Sequence, residues 1–535
     1  MSRLSTEQLP TGIEGFFGRP GVWWLTLLAM CGLLLTPLMF ADIPPVVDYP
    51  NHLARLVILG HAGEGSALDS IWRPHWAVIP DLGIDLVVPP LMHVMPPYAA
   101  GRLALALALL MPVGGAAAYS RAAFRRRLYW PMIAGLMAYN IIFVLGFLNY
   151  LISLGAALFA AAAWLGVRGQ PWMVRLAVGA LSAGGIFFIH IFGVAFFGIL
   201  IGVAELDRLT READGRTVRQ VAHSAGLLAA TFAPCMYLWT LVPPHLADTL
   251  VHRGAILTKL FFLAGPFIGY EALPGLLIGA ALFSAAIWWK AKRRGSTGPG
   301  IPIAALTLAA AWLALPFAIG GGTFLDSRIP LMLALTLAAG IRPPAMNRRA
   351  ARAIFVLAAA AFVLEIVPIS VIWHRHEAQI ADLRRTIAPV SPGSRVLVVS
   401  APLDRDNPYW RASGALALGI FRTDYNLGAL VAIDRQAFWP GLFADPSQQP
   451  VAIQPPYAGL AAPGWPPEIE SLKLGQSTDP NWPAPYLKDW PANFDFVLVL
   501  NAGAIPDIAR YLPERVTLIG ATPIAALFQV NAPAR

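Results

Sequence analysis

The residues best suited to chemistry lie in a short charged segment soon after the first long apolar run of the chain. Asp48 opens the sequence Asp-Tyr-Pro-Asn-His, and Arg55 follows three residues after His52. The apolar run, 22–41, is about long enough to cross a bilayer, and the segment after it, 42–97, is polar and rich in proline. A carboxylate at this place faces water at the membrane surface, where it could remove a proton from a hydroxyl group.

Further polar residues lie at the ends of later apolar runs, on the same predicted side of the membrane. Charged groups in or beside membrane spans are costly, so those present are candidates for function. This set consists of Asn149, Tyr150, His190, Arg253, Lys259, Asp326 and Arg328. Together with Asp48, His52 and Arg55 they could line one site, in which the carboxylate deprotonates a hydroxyl group while a cation neutralises a departing phosphate. The planar fork of Arg253 or Arg328 is well matched to a phosphate, and Lys259 could serve as well.

Asp48 also has two other readings. Asp48 before Tyr-Pro is typical of a helix N-cap with proline in the first turn, and this role is compatible with that of a base. Asp48 and His52 are four residues apart and would share a helix face, as two metal ligands could. They lack a clear third ligand nearby, so a divalent metal is possible but no cofactor is assigned.

The other candidates have local alternatives that the sequence leaves open. His190 could be a hydrogen-bonded histidine between two packed short helices. Asp326 and Arg328 could form a surface ion pair with each other.

The composition defines the elements that must position these residues. The chain has 535 residues, of which 57% are hydrophobic and 13% are charged, and its mean hydropathy is +0.60. These values are typical of a polytopic membrane protein. The net charge of +9 comes from short links between apolar runs and not from a basic polar domain, so nucleic acid is not an expected partner. The two cysteines lie inside apolar runs and indicate neither a disulfide framework nor a metal site.

The apolar runs predict about eleven membrane-spanning helices. They lie at 22–41, 98–119, 129–147, 149–166, 176–189, 191–206, 222–242, 260–289, 301–319, 329–341 and 353–373. If the spans alternate, the arginine- and lysine-rich links between them all fall on one side, which the positive-inside rule makes cytoplasmic. The first span is then a retained anchor with a cytoplasmic N-terminus. The loop 42–97 and the tail after residue 373 lie outside.

The tail, 374–535, is predicted to be a small α/β domain on the outer face. The segments 395–400 and 495–501 resemble buried strands, and 516–519 with 526–530 resemble a terminal hairpin. The stretch 440–493 is rich in proline, tryptophan and tyrosine. It could cover the membrane-side cavity or stack on carbohydrate, or it could be an irregular loop pinned by its prolines.

This plan resembles that of the GT-C superfamily of integral-membrane glycosyltransferases. The resemblance rests on the early outer aspartate in Asp48-Tyr-Pro-Asn-His-Leu-Ala-Arg55, on about eleven helices and on the soluble outer tail. Gly146-Phe-Leu-Asn-Tyr150 and Asp326-Ser-Arg-Ile-Pro330 are also similar to segments of bacterial members. The resemblance implies that 1–373 is a GT-C-like membrane domain, that Asp48 is the general base, and that the donor is a polyprenyl-phosphate sugar.

The expected activity is therefore hexosyl or pentosyl transfer to a glycan, lipid or protein acceptor at the outer face of a bacterial inner membrane, with the tail in the periplasm. Asp48 would be catalytic, and the other nine candidates would bind the substrate or its phosphate among membrane lipids. A transporter or flippase of lipid-linked or polar solutes is an alternative, although no internal repeat is evident. A non-catalytic membrane scaffold is another. No Gly-x-Gly-x-x-Gly or Walker-type motif favours a nucleotide substrate.

Overall fold

The computed structural model describes residues 19–211, 218–244, 251–291, 295–319, 322–344, 346–403, 408–462, 464–479, 483–505, 507–512 and 515–531. Parts of two predicted basic links, 212–217 and 292–294, lie outside these ranges. The membrane region begins with α1 Pro20–Leu35, α2 Tyr49–Gly60, α3 Ala67–Ile71, α4 Gly83–Leu91, α5 Pro97–Phe124, α6 Ile141–Leu145, α7 Leu148–Gly166 and α8 Trp172–Ile189. It continues with α9 Ile191–Arg211, α10 Val218–Thr240, α11 Ile256–Leu263, α12 Leu273–Ala291, α13 Ile301–Ala314, α14 Leu325–Gly340 and α15 Arg348–Ile387.

Six of the described helices are at least 18 residues long and apolar enough to cross a membrane. They are Pro20–Met39, Pro97–Phe124, Leu148–Gly166, Trp172–Ile189, Val218–Thr240 and Arg349–Ile387. The chain is therefore a multi-pass membrane protein. Three further apolar segments are shorter, at Trp130–Leu145, Leu273–Ala285 and Ile301–Ala314.

Two of the eleven predicted spans are divided into short helices, and a third, 301–319, is helical only as far as Ala314. The predicted span 129–147 consists of the 3-10 helix Trp130–Met137 and the five-residue α6. Asn140 caps α6, and Gly146 ends it with a φ of 97° that favours glycine. The predicted span 260–289 is interrupted by the 3-10 helix Gly265–Phe267 between α11 and α12. Hydrophobicity predicted these spans correctly as apolar, but local capping and proline chemistry divide them.

Helices α5 and α7 pack closely through glycine. A Cβ atom on Gly115 would lie 2.6 Å from the Gly155 carbonyl oxygen, and one on Gly155 would lie 2.2 Å from the backbone of Met111. Small residues let membrane helices approach in this way, because no hydrophobic force drives them together in lipid. This rigid pair carries the N-terminal end of α7, where several of the candidate residues lie.

The C-terminal region contains the predicted strands. Its short helices are α16 Pro408–Ala412, α17 Ala429–Arg435, α18 Ser471–Leu474 and α19 Trp490–Asn493. Its main sheet has four strands in the order β11-β12-β10-β6, which are β6 Val396–Ser400, β10 Phe496–Leu500, β11 Val516–Ala521 and β12 Ala525–Val530. β6 and β10 pair in parallel and are fully buried, and β11 and β12 form the terminal hairpin. All four predicted strands are confirmed. Helix α15 runs on through residue 373, so helical structure continues past the predicted start of the tail.

Short strand pairs complete the architecture. The two-residue strands are β2 Val251–His252 with β4 Ala318–Ile319, β3 Ser296–Thr297 with β5 Ile341–Arg342, and β7 Leu416–Ala417 with β8 Phe421–Arg422. Of greater consequence, β1 Trp72–Pro74 of the first outer loop pairs antiparallel with β9 Val451–Ile453 of the tail. The proline-rich stretch 440–493 is thus attached to the loop that follows Asp48.

Candidate active site

Asp48 occupies the N-cap position of α2, but its side chain does not cap the helix. Pro50 lies in the first turn, as the sequence predicts. The backbone before the helix is held by α6 instead, since the Val47 N–H donates to the Val144 carbonyl at 2.8 Å and the Asp48 N–H donates to Leu145 at 3.2 Å. The carboxylate is therefore not used by the helix and remains available for chemistry.

Gly146 is required for this arrangement. Its φ of 97° is unfavourable for other residues, and a Cβ atom there would lie 2.8 Å from both Cβ and N of Asp48. The absence of a side chain at Gly146 lets the end of α6 pass directly beside Asp48.

The surroundings of Asp48 shift its proton affinity. Its side chain keeps some exposed surface but is otherwise surrounded by protein. Burial raises the pKa of Asp48 to about 7, and this effect outweighs a hydrogen bond from Asn426 and the charges of Arg328 and Arg55, which lower the pKa. A carboxylate with a pKa near neutrality is suited to act as a general base.

Arg328 lies at the start of α14 among three aromatic rings. Its guanidinium carbon is 4.4 Å from the centroid of Phe147, 5.7 Å from that of Tyr150 and 5.3 Å from that of Phe192. One terminal nitrogen lies 3.0 Å from His190 Nε2, and the other donates to a backbone carbonyl. Its Nε–H is buried and has no partner among the described residues. The group is thus held in place while keeping N–H groups for an incoming anion.

The ring of His190 contacts the guanidinium of Arg328. Burial and the charge of Arg328 hold the pKa of His190 well below its ordinary value, so the ring is neutral and has one acceptor nitrogen. Two donors face the ring, the Phe192 N–H at 3.1 Å from Nδ1 and Arg328 Nη1 at 3.0 Å from Nε2, and the ring accepts from one of them. The predicted alternative of a hydrogen-bonded histidine between two helices agrees with this geometry.

Asn149 and Tyr150 position other groups. The Asn149 amide donates to the backbone carbonyl of Asp81 at 2.9 Å and accepts from the Ile84 N–H at 2.8 Å. The Tyr150 hydroxyl donates to the backbone carbonyl of Arg328 at 2.6 Å. The five residues 146–150 therefore contact the elements that carry Asp48, Asp81 and Arg328.

Asp81 is a second acid of the site, and it was not among the residues predicted from the sequence. Burial and the charge of Asp85 raise its pKa to about 7, although Arg55, a hydrogen bond from Asn149 and Arg328 oppose this shift. The positive charge of Arg328 thus lowers the pKa of both Asp48 and Asp81. The Asp81 carboxylate has the same kind of environment as Asp48.

Arg55 is fully engaged by Asp85. Its Nε and Nη2 atoms donate to the two carboxylate oxygens at 2.6 and 3.0 Å, and both residues are about 1% exposed. Burial lowers the pKa of Arg55, but the charges of Asp85, Asp81 and Asp48 outweigh it and the net shift is upward. Arg55 therefore remains positively charged, and its charge lowers the pKa of both Asp48 and Asp81.

His52 is half-buried and lies one helical turn from Asp48 on α2. Burial, together with the charge of Arg55, lowers its pKa to about 3, although a hydrogen bond to the Gly146 backbone opposes the shift. The ring is therefore neutral at physiological pH. Its Nδ1 atom has no hydrogen-bond partner among the described residues, and its ring lies edge-to-face with Phe443.

Three predicted site residues, Lys259, Asp326 and Arg253, are not among the charged groups that shift the pKa of Asp48. Lys259 is 3.5 Å from Asp326 and donates to carbonyls at the C-terminal end of α13. Asp326 does not pair with Arg328, because residues two apart on a helix point in different directions. Arg253 follows β2, is exposed, and has no ion pair within the described ranges. It is not among the charges that act on Asp48.

The residues do not form an evident metal centre. Within the described part of the chain, no group of three or more His, Cys, Asp or Glu could hold a metal ion.

Two cavities lie at the other end of the helices. One, of about 540 Å³, is lined by Arg121, Arg125, Arg126 and Arg127, and the other, of about 330 Å³, by residues that include Arg168 and Arg208. The acid that lines the smaller cavity, Asp207, is half-buried and pairs with Arg211 at 2.9 Å. The chemistry of the lining residues, and not cavity size, identifies the group around Asp48 as the candidate site.

Comparison with known proteins gives one match of fold. No model of a protein family matches the chain, and no curated protein matches it. The chain is similar to the crystal structure of ArnT from Cupriavidus metallidurans bound to undecaprenyl phosphate, with 14% sequence identity and a TM-score of 0.46. The match covers 96% of this chain and 100% of that one. At this TM-score the likeness carries no argument about the site, which rests on the geometry above.

Sequence reasoning missed Asp81, Asp85 and Asn426. The two aspartates are four residues apart in the same polar loop as Asp48, but only Asp85 lies on α4, since Asp81 precedes this helix. Asn426 is 378 residues from Asp48 and carries no local signal.

Proposed function

We propose that the protein is a membrane glycosyltransferase that moves a sugar from a polyprenyl-phosphate donor to a hydroxyl group of a glycan, lipid or protein. The observation that supports this proposal is the half-buried residue Asp48, whose pKa is raised by burial, together with the guanidinium of Arg328, whose charge lowers that pKa. Both groups belong to a chain with six helices apolar enough to span a membrane. A donor with a long apolar tail is accessible to such a protein within the bilayer.

Asp48 and Arg328 have different roles in the proposed reaction. Asp48 accepts the proton of the acceptor hydroxyl, and the acceptor oxygen forms a bond to the anomeric carbon of the sugar. The bond between that carbon and the phosphate oxygen breaks, and the phosphate leaves with the electron pair. Attack from the face opposite the phosphate inverts the anomeric centre. Arg328 stabilises the negative charge on the phosphate, since a fixed cation in a dry site costs no reorganisation during the reaction.

The pKa of about 7 gives the base its working range. Asp48 must be deprotonated to accept a proton, so transfer should rise with pH through this value. About half of the Asp48 side chains would be ionised at pH 7, which is near the optimum for a base that operates at neutral pH.

The test compares Asp48→Asn with the parent protein in membranes supplied with a panel of polyprenyl-phosphate hexoses and pentoses and membrane-derived acceptors. Loss of a general base should reduce transfer by about 10²- to 10⁴-fold. Glu64→Gln is a matched control, because Glu64 is an exposed acid of the same outer loop that pairs only with His61 among the described residues. Transfer by Asp48→Asn at the parental rate, with equal expression, would contradict the proposal.

A further inference from the structure

The tail contributes a buried amide to the environment of Asp48. Asn426 lies in the turn before α17 and is 1% exposed. Its Nδ2 atom donates to the Val47 carbonyl at 2.8 Å and to Asp48 Oδ1 at 3.2 Å. These contacts connect the C-terminal region directly to the proposed base.

The orientation of this amide is fixed by a second asparagine. Asn51 is fully buried, and its Oδ1 atom accepts from the Phe443 N–H at 2.8 Å. Its Nδ2 atom therefore faces the other way and donates to the Gly441 carbonyl at 2.9 Å and to Asn426 Oδ1 at 3.0 Å. Since backbone N–H groups only donate and carbonyls only accept, neither amide can flip without leaving buried groups unpaired. The Nδ2 donor of Asn426 is thus directed at Asp48.

We infer that Asn426 is a positioning residue that holds Oδ1 of Asp48 and leaves Oδ2 free to accept the proton from the acceptor hydroxyl. The inference rests on the proposed role of Asp48 as the base. Asp48 Oδ2 has no hydrogen-bond donor among the described residues, in contrast to Oδ1. A carboxylate with one oxygen fixed has a defined direction for proton transfer.

The C-terminal region is thereby a part of the site. It reaches the first outer loop through Asn426, through the Gly441–Phe443 backbone around Asn51, and through the pairing of β1 with β9. Removal of this contact should change Asp48 itself and not only the stability of the fold.

The charged and titratable groups around Asp48 come from three other elements. Arg55 and His52 belong to α2, Arg328 belongs to α14, and Asp81 precedes α4. None of them is altered by a substitution at Asn426. A change in the titration of Asp48 would therefore report the lost amide donor.

The test is an infrared titration of the full-length protein with isotope-labelled aspartate, reconstituted in lipid. Subtraction of the Asp48→Asn spectrum isolates the Asp48 carboxyl signal. Asn426→Ala removes a donor to the carboxylate, so the Asp48 midpoint should rise by about one pH unit. Asn426→Leu fills a similar space and offers no donor, so it should raise the midpoint by a similar amount and covers the case in which Asn426→Ala does not fold.

The control is Asn501→Gly, which removes another buried amide that donates to a carboxylate, that of Asp424, at a position whose φ of 58° suits glycine. It should leave the Asp48 midpoint unchanged. An unchanged midpoint in the Asn426 variant that folds would overturn the inference. The outcome is separate from that of the transfer assay, since parental transfer by Asp48→Asn would refute the base while leaving the titration result intact.

Discussion

Two clusters of buried charge lie at opposite ends of α7, and they are neutralised to different degrees. At the C-terminal end, the Glu205 carboxylate accepts from Arg175, from Arg208 at 3.0 Å and from Trp164 at 3.1 Å. At the N-terminal end, about 20 Å away along the helix, Asp48 accepts one bond from Asn426. The carboxylate of Glu205 therefore has three hydrogen-bond donors within the protein. In contrast, Asp48 and Arg328 keep hydrogen-bonding groups that have no partner among the described residues.

We propose that this difference separates a structural cluster from a functional one. A buried carboxylate with several donors stabilises the contacts between helices once it has formed, and loss of one member leaves the others uncompensated. A buried carboxylate with few donors destabilises the fold, and the proposed role of Asp48 as a base would account for its presence. The predictions below test this separation.

The largest expected effect is on transfer in Arg328→Met. Loss of the cation that faces the leaving phosphate should lower the rate by about 10²- to 10³-fold, as observed for the loss of one electrostatic stabiliser in other active sites. Arg208→Met, which removes an arginine from the Glu205 cluster, should leave transfer per folded molecule unchanged. Equal losses in the two variants would remove the distinction between the clusters.

The next effect is on stability in Glu205→Gln. Arg175 and Arg208 would then lose their common counter-charge, which should cost about 3 kcal/mol of unfolding free energy, measured by denaturant titration in detergent. Transfer by the remaining folded protein should be normal. A variant as stable as the parent would show that the Glu205 cluster does not hold the helices together.

A smaller effect is expected in Gly146→Ala. The new methyl group would collide with Asp48 and occupy a backbone conformation that disfavours alanine, so displacement of the base should lower transfer by about 10- to 100-fold. Gly166→Ala is the matched control, because a Cβ atom at the other end of α7 meets nothing within 4 Å. A normal rate in Gly146→Ala would argue against a precise position for Asp48.

The smallest effect is a gain of stability in Asp48→Asn at high pH. The folded-state pKa of about 7 exceeds the ordinary value of 3.8, so the parent should lose stability as the pH rises from about 4 to about 7. The variant cannot ionise and should be more stable than the parent at pH 8, with little difference at pH 4. Thermal unfolding of the parent and of Asp48→Asn at pH 4 and at pH 8 measures the direction of this stability difference. A variant less stable than the parent at pH 8 would assign Asp48 a structural role.

The sequence predicted the parts of this molecule that depend on local pattern. The apolar runs, the four strands of the tail and the early Asp48 follow from periodicity and composition. The residues Gly146 to Tyr150 were found as a motif, but their function of joining Asp48, Asp81 and Arg328 depends on contacts between distant elements. The breaks at Gly146 and Gly265 depend on capping and proline geometry that a hydropathy pattern does not reveal.

Other parts required the tertiary structure. The approach of Asn426 to Asp48 joins segments 378 residues apart, so no local pattern predicts it. Lys259 was predicted at the shared site because it lies near the outer end of a span, yet it pairs with Asp326 and with backbone carbonyls at a helix end. The number of residues between a charged side chain and the end of a span indicates its depth in the membrane. It does not indicate which group the side chain pairs with.

The most direct test of the account is an electron cryomicroscopy structure of the protein in lipid nanodiscs with added polyprenyl phosphate. We expect the phosphate to lie within hydrogen-bond distance of the Arg328 guanidinium, with the Asp48 carboxylate facing the same space. A phosphate bound instead in the arginine-lined cavities at the opposite end of the helices, with the Asp48 region empty, would contradict it.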